Sequence, residues 1–214
     1  MITTEEEARA FCAARCDAAA MLRLDRFIPM LVEENSRQNL VSKASLDHVW
    51  TRHLADSLQL LDHVPADGGG VWLDLGSGAG FPGLVLALAH PEWPIVLVES
   101  RKRRVEWLQR VCDEFDLENC TVVGSRLENV ESLPAGVITA RAFAPLGKLL
   151  ELSARFSTQA TTWLLPKGRS GAIELSEQPA VIRNMFHVEQ SATDPSAAIL
   201  VGKGQVRQGR ATRS

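Results

Sequence analysis

The chain has 214 residues, 45% of them hydrophobic, and a net charge of -3, which suits one ordinary domain with a full core and excludes a disordered polypeptide. Its start, with Glu5, Glu6 and Glu7, has no signal-peptide pattern, and no run approaches the ~18 apolar residues of a membrane span; a soluble cytoplasmic protein is expected. The cysteines Cys12, Cys16, Cys112 and Cys120 lack Cys-x-x-Cys spacing and nearby histidines, so a metal site is not expected and a reducing compartment fits.

Residues 4–63 read as helical, with Phe11, Met21, Leu22, Phe27, Ile28, Leu31 and Val32 at mixed spacings of three and four. Thr4 and Glu7 have the spacing of a capping box, Cys12 and Cys16 share a helix face, and Pro29 opens or kinks a helix. The loop PADGGG at 65–70 ends this portion. Short apolar runs then alternate with helical stretches. Strands are expected at 71–75, 95–99, 120–124, 137–140 and 161–165, with helices at 82–90, 101–115 and 146–156 between them. After Lys167 and Gly168 the pattern weakens, and 185–189 with 197–201 form a closing hairpin. Continuous apolar strands separated by helices indicate a mostly parallel sheet covered on both faces, a doubly wound α/β fold. The organisation is a helical portion over 1–67, the α/β domain over 68–202, and a basic, flexible tail over 203–214 with Lys203, Arg207, Arg210 and Arg213.

In such a fold ligands bind beyond the carboxyl ends of the strands. After the first strand comes DLGSGAGFPG, with Asp74, Gly76, Gly78, Gly80 and Gly83, where the backbone must turn sharply and admit a ligand closer than a Cβ allows. From Gly78 the loop satisfies G-x-G-x-x-G, and Glu99 closes the second strand where a ribose-binding acid belongs. That supports a dinucleotide. The acid two residues before the first glycine points the other way, since a carboxylate repels pyrophosphate but welcomes the ammonium group of a methionine moiety. Glu99 serves both readings; alone, it is equally a solvated acid.

The third loop, GSRLE at 124–128, places Leu127 where an adenine ring could lie, although a plain helix start explains it as well. Arg141 ends the fourth strand, where a guanidinium costs desolvation unless it meets a carboxylate, a phosphate or a ligand, and Lys167 ends the fifth. His48 and His53 fall on different helix faces, against a shared metal, and His53 with Asp56 suits helix-surface hydrogen bonding. Arg101, Lys102, Arg103 and Arg104 open a helix whose dipole disfavours cations, which tilts them toward phosphate contact. No serine or cysteine sits in a strained elbow with a following histidine, against hydrolase chemistry.

Together QNLVS, RHLADSL, DLGSGAGFPG, LVES, SRLE and ARAF, ending at the Lys-Gly pair, run from Asn35 to Lys167. In this order they resemble the bacterial 16S rRNA guanine-N7 methyltransferases, the glucose-inhibited division protein B family. The resemblance implies a Rossmann-like class I S-adenosylmethionine fold with a mostly parallel seven-stranded sheet behind an N-terminal helical extension. The implied activity is methylation of N7 of guanine 527 of 16S rRNA. It implies cofactor contacts at Gly76, Phe81, Leu127, Glu128 and Arg141, to which the loop reading adds Asp74, Gly78 and Glu99; Arg141 and Lys167 are positioning candidates, with no general base because guanine N7 carries a free lone pair. Glu34 stands where the family often has an aromatic residue and Val41 where threonine is common, departures that bear on the N-terminal packing. RNA, as 16S rRNA or the 30S subunit, is expected to meet Arg37, Arg52, Arg101 to Arg104, Lys167 and the tail, with phosphate contacts supplying most affinity. Nothing requires more than a monomer. The rivals are a nicotinamide-dependent oxidoreductase, a non-catalytic RNA-binding factor on the same fold, and a small-molecule methyltransferase.

Overall fold

The computed structural model describes residues 1–207. Helices α1 (Glu5–Ala13), α2 (Ala18–Gln38) and α3 (Lys43–Leu46) lead to a π-helical segment, Trp50–Ala55, that runs into α4 (Asp56–Leu58) and a 3-10 turn, Gln59–His63. The expected capping box opens α1: Glu7 N donates to Thr4 Oγ1 at 3.1 Å, and Thr4 N donates to Glu7 Oε2 at 3.2 Å. Pro29 does not open a helix, since it lies inside α2, which continues to Gln38 and stops where Asn39 turns left-handed with φ 48°. Cys16 lies beyond the end of α1, not on it with Cys12; burial pushes the two thiols up to about 11 and about 12 respectively.

The α/β portion contains β1 (Trp72–Leu75), α5 (Gly83–Ala89), β2 (Ile95–Glu99), α6 (Lys102–Glu114), β3 (Cys120–Gly124), β4 (Ala135–Thr139), α7 (Leu146–Ser153), β5 (Ser157–Lys167), α8 (Gly171–Ser176), α9 (Ala180–Arg183), β6 (Phe186–Gln190) and β7 (Ala198–Lys203). The sheet has seven strands in the order β3-β2-β1-β4-β5-β7-β6. β1 to β5 pair in parallel, and β7 runs antiparallel to both β5 and β6. The chain winds outward from β1 to β3, then returns to β4 on the other side of β1. That reversal opens a crevice beyond the carboxyl ends of β1 and β4.

Side chains alternate across the sheet, as pleating demands. Trp72, Leu97, Val137, Leu164 and Ile199 face one buried cluster with α2, the Trp50–Ala55 segment, α5 and α6. Leu73, Leu75, Ile138, Trp163, Leu165 and Leu200 face another with α7 and α8. The N-terminal helices therefore share a core with the sheet. Burying an aliphatic side chain such as Leu24 or Leu54, both fully buried, stabilises the fold by roughly 1.5–3 kcal/mol each.

The expected boundary at 203 is corrected by the packing. Lys203 closes β7, Gly204 O accepts from Trp163 Nε1 at 2.9 Å, and Val206 N donates to Ser157 Oγ at 3.0 Å. Residues 203–206 are fastened to the sheet; Arg207 is exposed, and Arg210 and Arg213 lie outside the described residues. No helix among the described residues is long and apolar enough to cross a membrane.

Candidate functional site

The turn after β1 is built from backbone. Gly76, Gly78 and Gly80 have φ of 69°, 59° and 107°, a region side chains avoid. A Cβ on Gly76 would lie 2.5 Å from the Phe143 ring, so this position needs glycine twice over. Gly76 N and Ser77 N both donate to Val98 O, at 2.8 and 3.1 Å, holding the turn against β2.

Asp74 underlies that turn. Its carboxylate is 1% exposed, accepts from Thr139 Oγ1 at 2.8 Å and from Gly83 N at 3.4 Å, and is pushed up in pKa by burial against the opposing hydrogen bonds. A Cβ on Gly83 would meet Asp74 Cβ at 2.7 Å, so the helix N-terminus closes directly over the acid. The carboxylate thereby ties β1, β4 and α5 together.

Glu99 ends β2 opposite the turn and is buried. Its Oε2 accepts from Gly78 N at 3.0 Å, and Oε1 accepts from Ser100 N at 2.7 Å and Arg101 N at 2.8 Å. One carboxylate thus joins the first and second loops across the crevice. Arg104 approaches the same turn, its Nη1 3.0 Å from where a Gly78 Cβ would stand. Of the basic cluster it is the one member not fully exposed.

At two expected contact positions the side chain turns inward. The Phe81 ring is 2% exposed, stacked on His53 with centroids 4.5 Å apart and edge-on to Phe27 at 6.2 Å, so only its backbone faces the turn. The Leu127 side chain is buried in the α7 side of the core, because the loop forms a 3-10 turn that directs it inward. Its side chain is not exposed on the loop surface, where Glu128 is.

Beside the turn lies a cavity of about 700 Å³, walled by the Trp50–Ala55 segment, the ends of β4 and β5, and the β6–β7 connection; Arg52, His53, Arg141, Phe143 and Lys167 line it. Each cation there is paired. Arg141 Nη1 donates to Asp56 Oδ2 at 3.1 Å and to Arg52 O at 3.3 Å, and its guanidinium stands 4.8 Å over the Phe81 ring. Arg52 pairs with Asp194 at 2.7 Å; hydrogen bonds from Arg52 and Ser196 hold that carboxyl down at about 2. Lys167 Nζ donates to Glu174 Oε2 at 2.9 Å and to Ala144 O at 3.1 Å. Burial raises Glu174, but hydrogen bonds from Lys167, Ser170 and Leu146 N outweigh it and leave the carboxyl below its ordinary range.

His53 was expected at a helix surface, yet it is 5% exposed. Burial, then Arg141 and Arg52, push its pKa down to about 3, so the ring is neutral. The expected single RNA surface also divides: Arg37, Arg103 and Arg110 line a separate hollow between α2 and α6. There the buried Glu34 carboxylate accepts from Arg110 Nη2 at 2.9 Å, which accounts for an acid in an aromatic's place. Val41 N donates to Asn35 Oδ1 at 2.8 Å, and Val41 lines the main cavity. Among the described residues no cluster of three or more His, Cys, Asp or Glu could hold a metal ion.

Comparison with known proteins fits this geometry. The family model described as rRNA small subunit methyltransferase G matches residues 21–197. The ribosomal RNA small subunit methyltransferase G of Erythrobacter litoralis is 62% identical over 207 residues, covering 97% of this chain and 100% of that one. That of Novosphingobium aromaticivorans is 52% identical over 206 residues, covering 94% and 89%. A solved SAM dependent methyltransferase from Aquifex aeolicus shares the fold, with a TM-score of 0.52 at 16% identity over 69% of this chain and 88% of that one.

Proposed function

Because the chain belongs to the rRNA small subunit methyltransferase G family, we propose that it transfers the methyl group of S-adenosylmethionine to N7 of guanine 527 of 16S rRNA in the small ribosomal subunit. The dinucleotide reading of Gly78-x-Gly80-x-x-Gly83 falls with that membership. The observation that carries the proposal is the junction of two half-sites: a glycine turn bridged to a strand-end acid, Gly78 N to Glu99 Oε2 at 3.0 Å, beside a cavity with arginine and lysine walls.

The residues fit the cofactor. The turn around Gly76 and Gly78 exposes backbone that a Cβ would obstruct, and Glu99 stands at the second strand end, where the adenosine ribose belongs in this fold. Glu128 and the loop backbone remain for the adenine. When bound, S-adenosylmethionine supplies a sulfonium methyl that an in-plane lone pair can attack. Guanine N7 has that lone pair and no proton, so the chain needs to align donor and acceptor, not to hold a base. A neutral His53 with both ring nitrogens engaged is consistent with this.

Arg141 and Lys167 are held by carboxylates and buried enough to keep their geometry, and serve as positioning cations for the RNA and the cofactor's carboxylate end. As methylation moves positive charge onto the purine, Asp56 and Glu174 keep the cavity from being uniformly cationic. The protein acts as a monomer in the cytoplasm in this reading. The test is incubation of the full chain with labelled S-adenosylmethionine and 30S subunits from a strain lacking the modification, followed by mapping. Label at N7 of guanine 527 is expected; label at another base, or none, refutes the assignment.

A further inference from the structure

The π-helical segment Trp50–Ala55 carries a histidine whose hydrogen bonds define its tautomer. Ser45 Oγ donates its only proton to Ser42 O at 2.8 Å, so toward His53 Nε2, 3.0 Å away, it can act only as acceptor. The ring proton is therefore on Nε2. That leaves a lone pair on Nδ1, which lies 3.4 Å from Arg141 Nη2. The ring plane is fixed as well, because it stacks on Phe81 with an interplanar angle of 10°.

We propose that His53 is a positioning residue for methyl transfer: its imidazole, oriented by Ser45 and Phe81, accepts from Arg141 and, with Asp56 and the Arg52 carbonyl, fixes the guanidinium at the cavity wall. The inference rests on the activity given under Proposed function. The three acceptors come from one stretch of five residues, so Arg141 is gripped by a single turn. π-helical turns recur at functional positions because they redirect side chains that an α-helix would place apart. The grip uses both hydrogens of Nη1 and one of Nη2. Nε–H and the second Nη2 hydrogen have no hydrogen-bond partner among the described residues and are free for RNA or cofactor oxygens. A charged imidazole would put a second cation against the guanidinium, so neutrality is part of the arrangement.

The test compares full-length wild type, His53→Ala, Arg141→Ala and the double variant with 30S subunits lacking the modification. His53→Ala is expected to lower kcat about tenfold with S-adenosylmethionine Kd changed less than about twofold, and to lower kcat less than about twofold when Arg141 is already alanine. Equal losses in both backgrounds, or an unchanged kcat in His53→Ala, overturn the inference. Because the substitution also removes the Phe81 stack, a second measurement uses the intact ring. Nitrogen-15 NMR at neutral pH should show Nε2 protonated and Nδ1 bare, with the Nδ1 resonance moving in Arg141→Lys. A protonated Nδ1, or a resonance indifferent to Arg141, overturns the pairing without reference to activity. Wild type that leaves the RNA unmethylated overturns the proposed substrate instead, and NMR then decides the pairing alone.

Discussion

The glycine turn with Glu99 and the cavity with Arg141 are neighbours built on opposite plans. At the turn the ligand-facing groups are main-chain atoms, and the carboxylates of Asp74 and Glu99 fix them from behind through Thr139 Oγ1 and backbone N–H groups. At the cavity the facing groups are side chains, each cation held by a carboxylate: Arg141 by Asp56, Arg52 by Asp194, Lys167 by Glu174. Backbone gives a rigid, shape-defined cradle for one small molecule. Paired cations instead give charge that a polyanion can compete for, most readily at Arg52, the most exposed of the three.

This contrast can be broken most sharply at Gly76. Gly76→Ala forces a left-handed residue and a clash with Phe143, and is expected to lower S-adenosylmethionine affinity more than about a hundredfold by calorimetry, with a stability loss of about 1–3 kcal/mol. A variant with normal affinity would show that the turn adapts as the cavity does. Next in size, Arg141→Ala should reduce kcat/KM for the subunit about a hundredfold while cofactor Kd rises less than about fivefold; an equal loss of cofactor affinity would move Arg141 to the backbone half.

Smaller effects sharpen the division of basic residues. Arg103→Gln, in the α2–α6 hollow, is expected to weaken RNA affinity a few-fold, lower the salt slope by about one, and leave kcat unchanged. The smallest is a pH effect. The Asp194 carboxyl sits at about 2 when folded, below its unfolded value of about 3.9, so its contribution is complete above pH ~4 and lost as pH falls through about 2. Thermal melts of Asp194→Asn should fall slightly below wild type at pH 7, with the gap shrinking as pH drops toward 2.

The same contrast explains what could be read from sequence. The glycine turn and Glu99 are defined by position along consecutive strands, so a linear pattern locates them. The cavity is not linear, since Arg52 meets Asp194 and Arg141 meets Asp56 only through folding, and nothing in RHLADSL announces that His53 is buried. Leu127 and Phe81 lie in the loops the pattern marks, but which way a side chain turns depends on the core it meets. Ser157, Thr158 and Gln159 hid the start of β5 because polar residues there lack the apolar signal, and α8 and α9 are too short to show helical periodicity. Arg37 and Arg103 share charge with Arg141 but line a different hollow.

Glu99 carries one further consequence, in the count of its lone pairs. A carboxylate has about four acceptor positions. Two on Oε1 are filled by Ser100 and Arg101 and one on Oε2 by Gly78, which leaves a single vacancy on the oxygen nearest the glycine turn. In the proposed reading a ribose hydroxyl would donate there without displacing any existing bond. On that reading the three protein hydrogen bonds already orient the acceptor, so binding adenosine would require little further ordering.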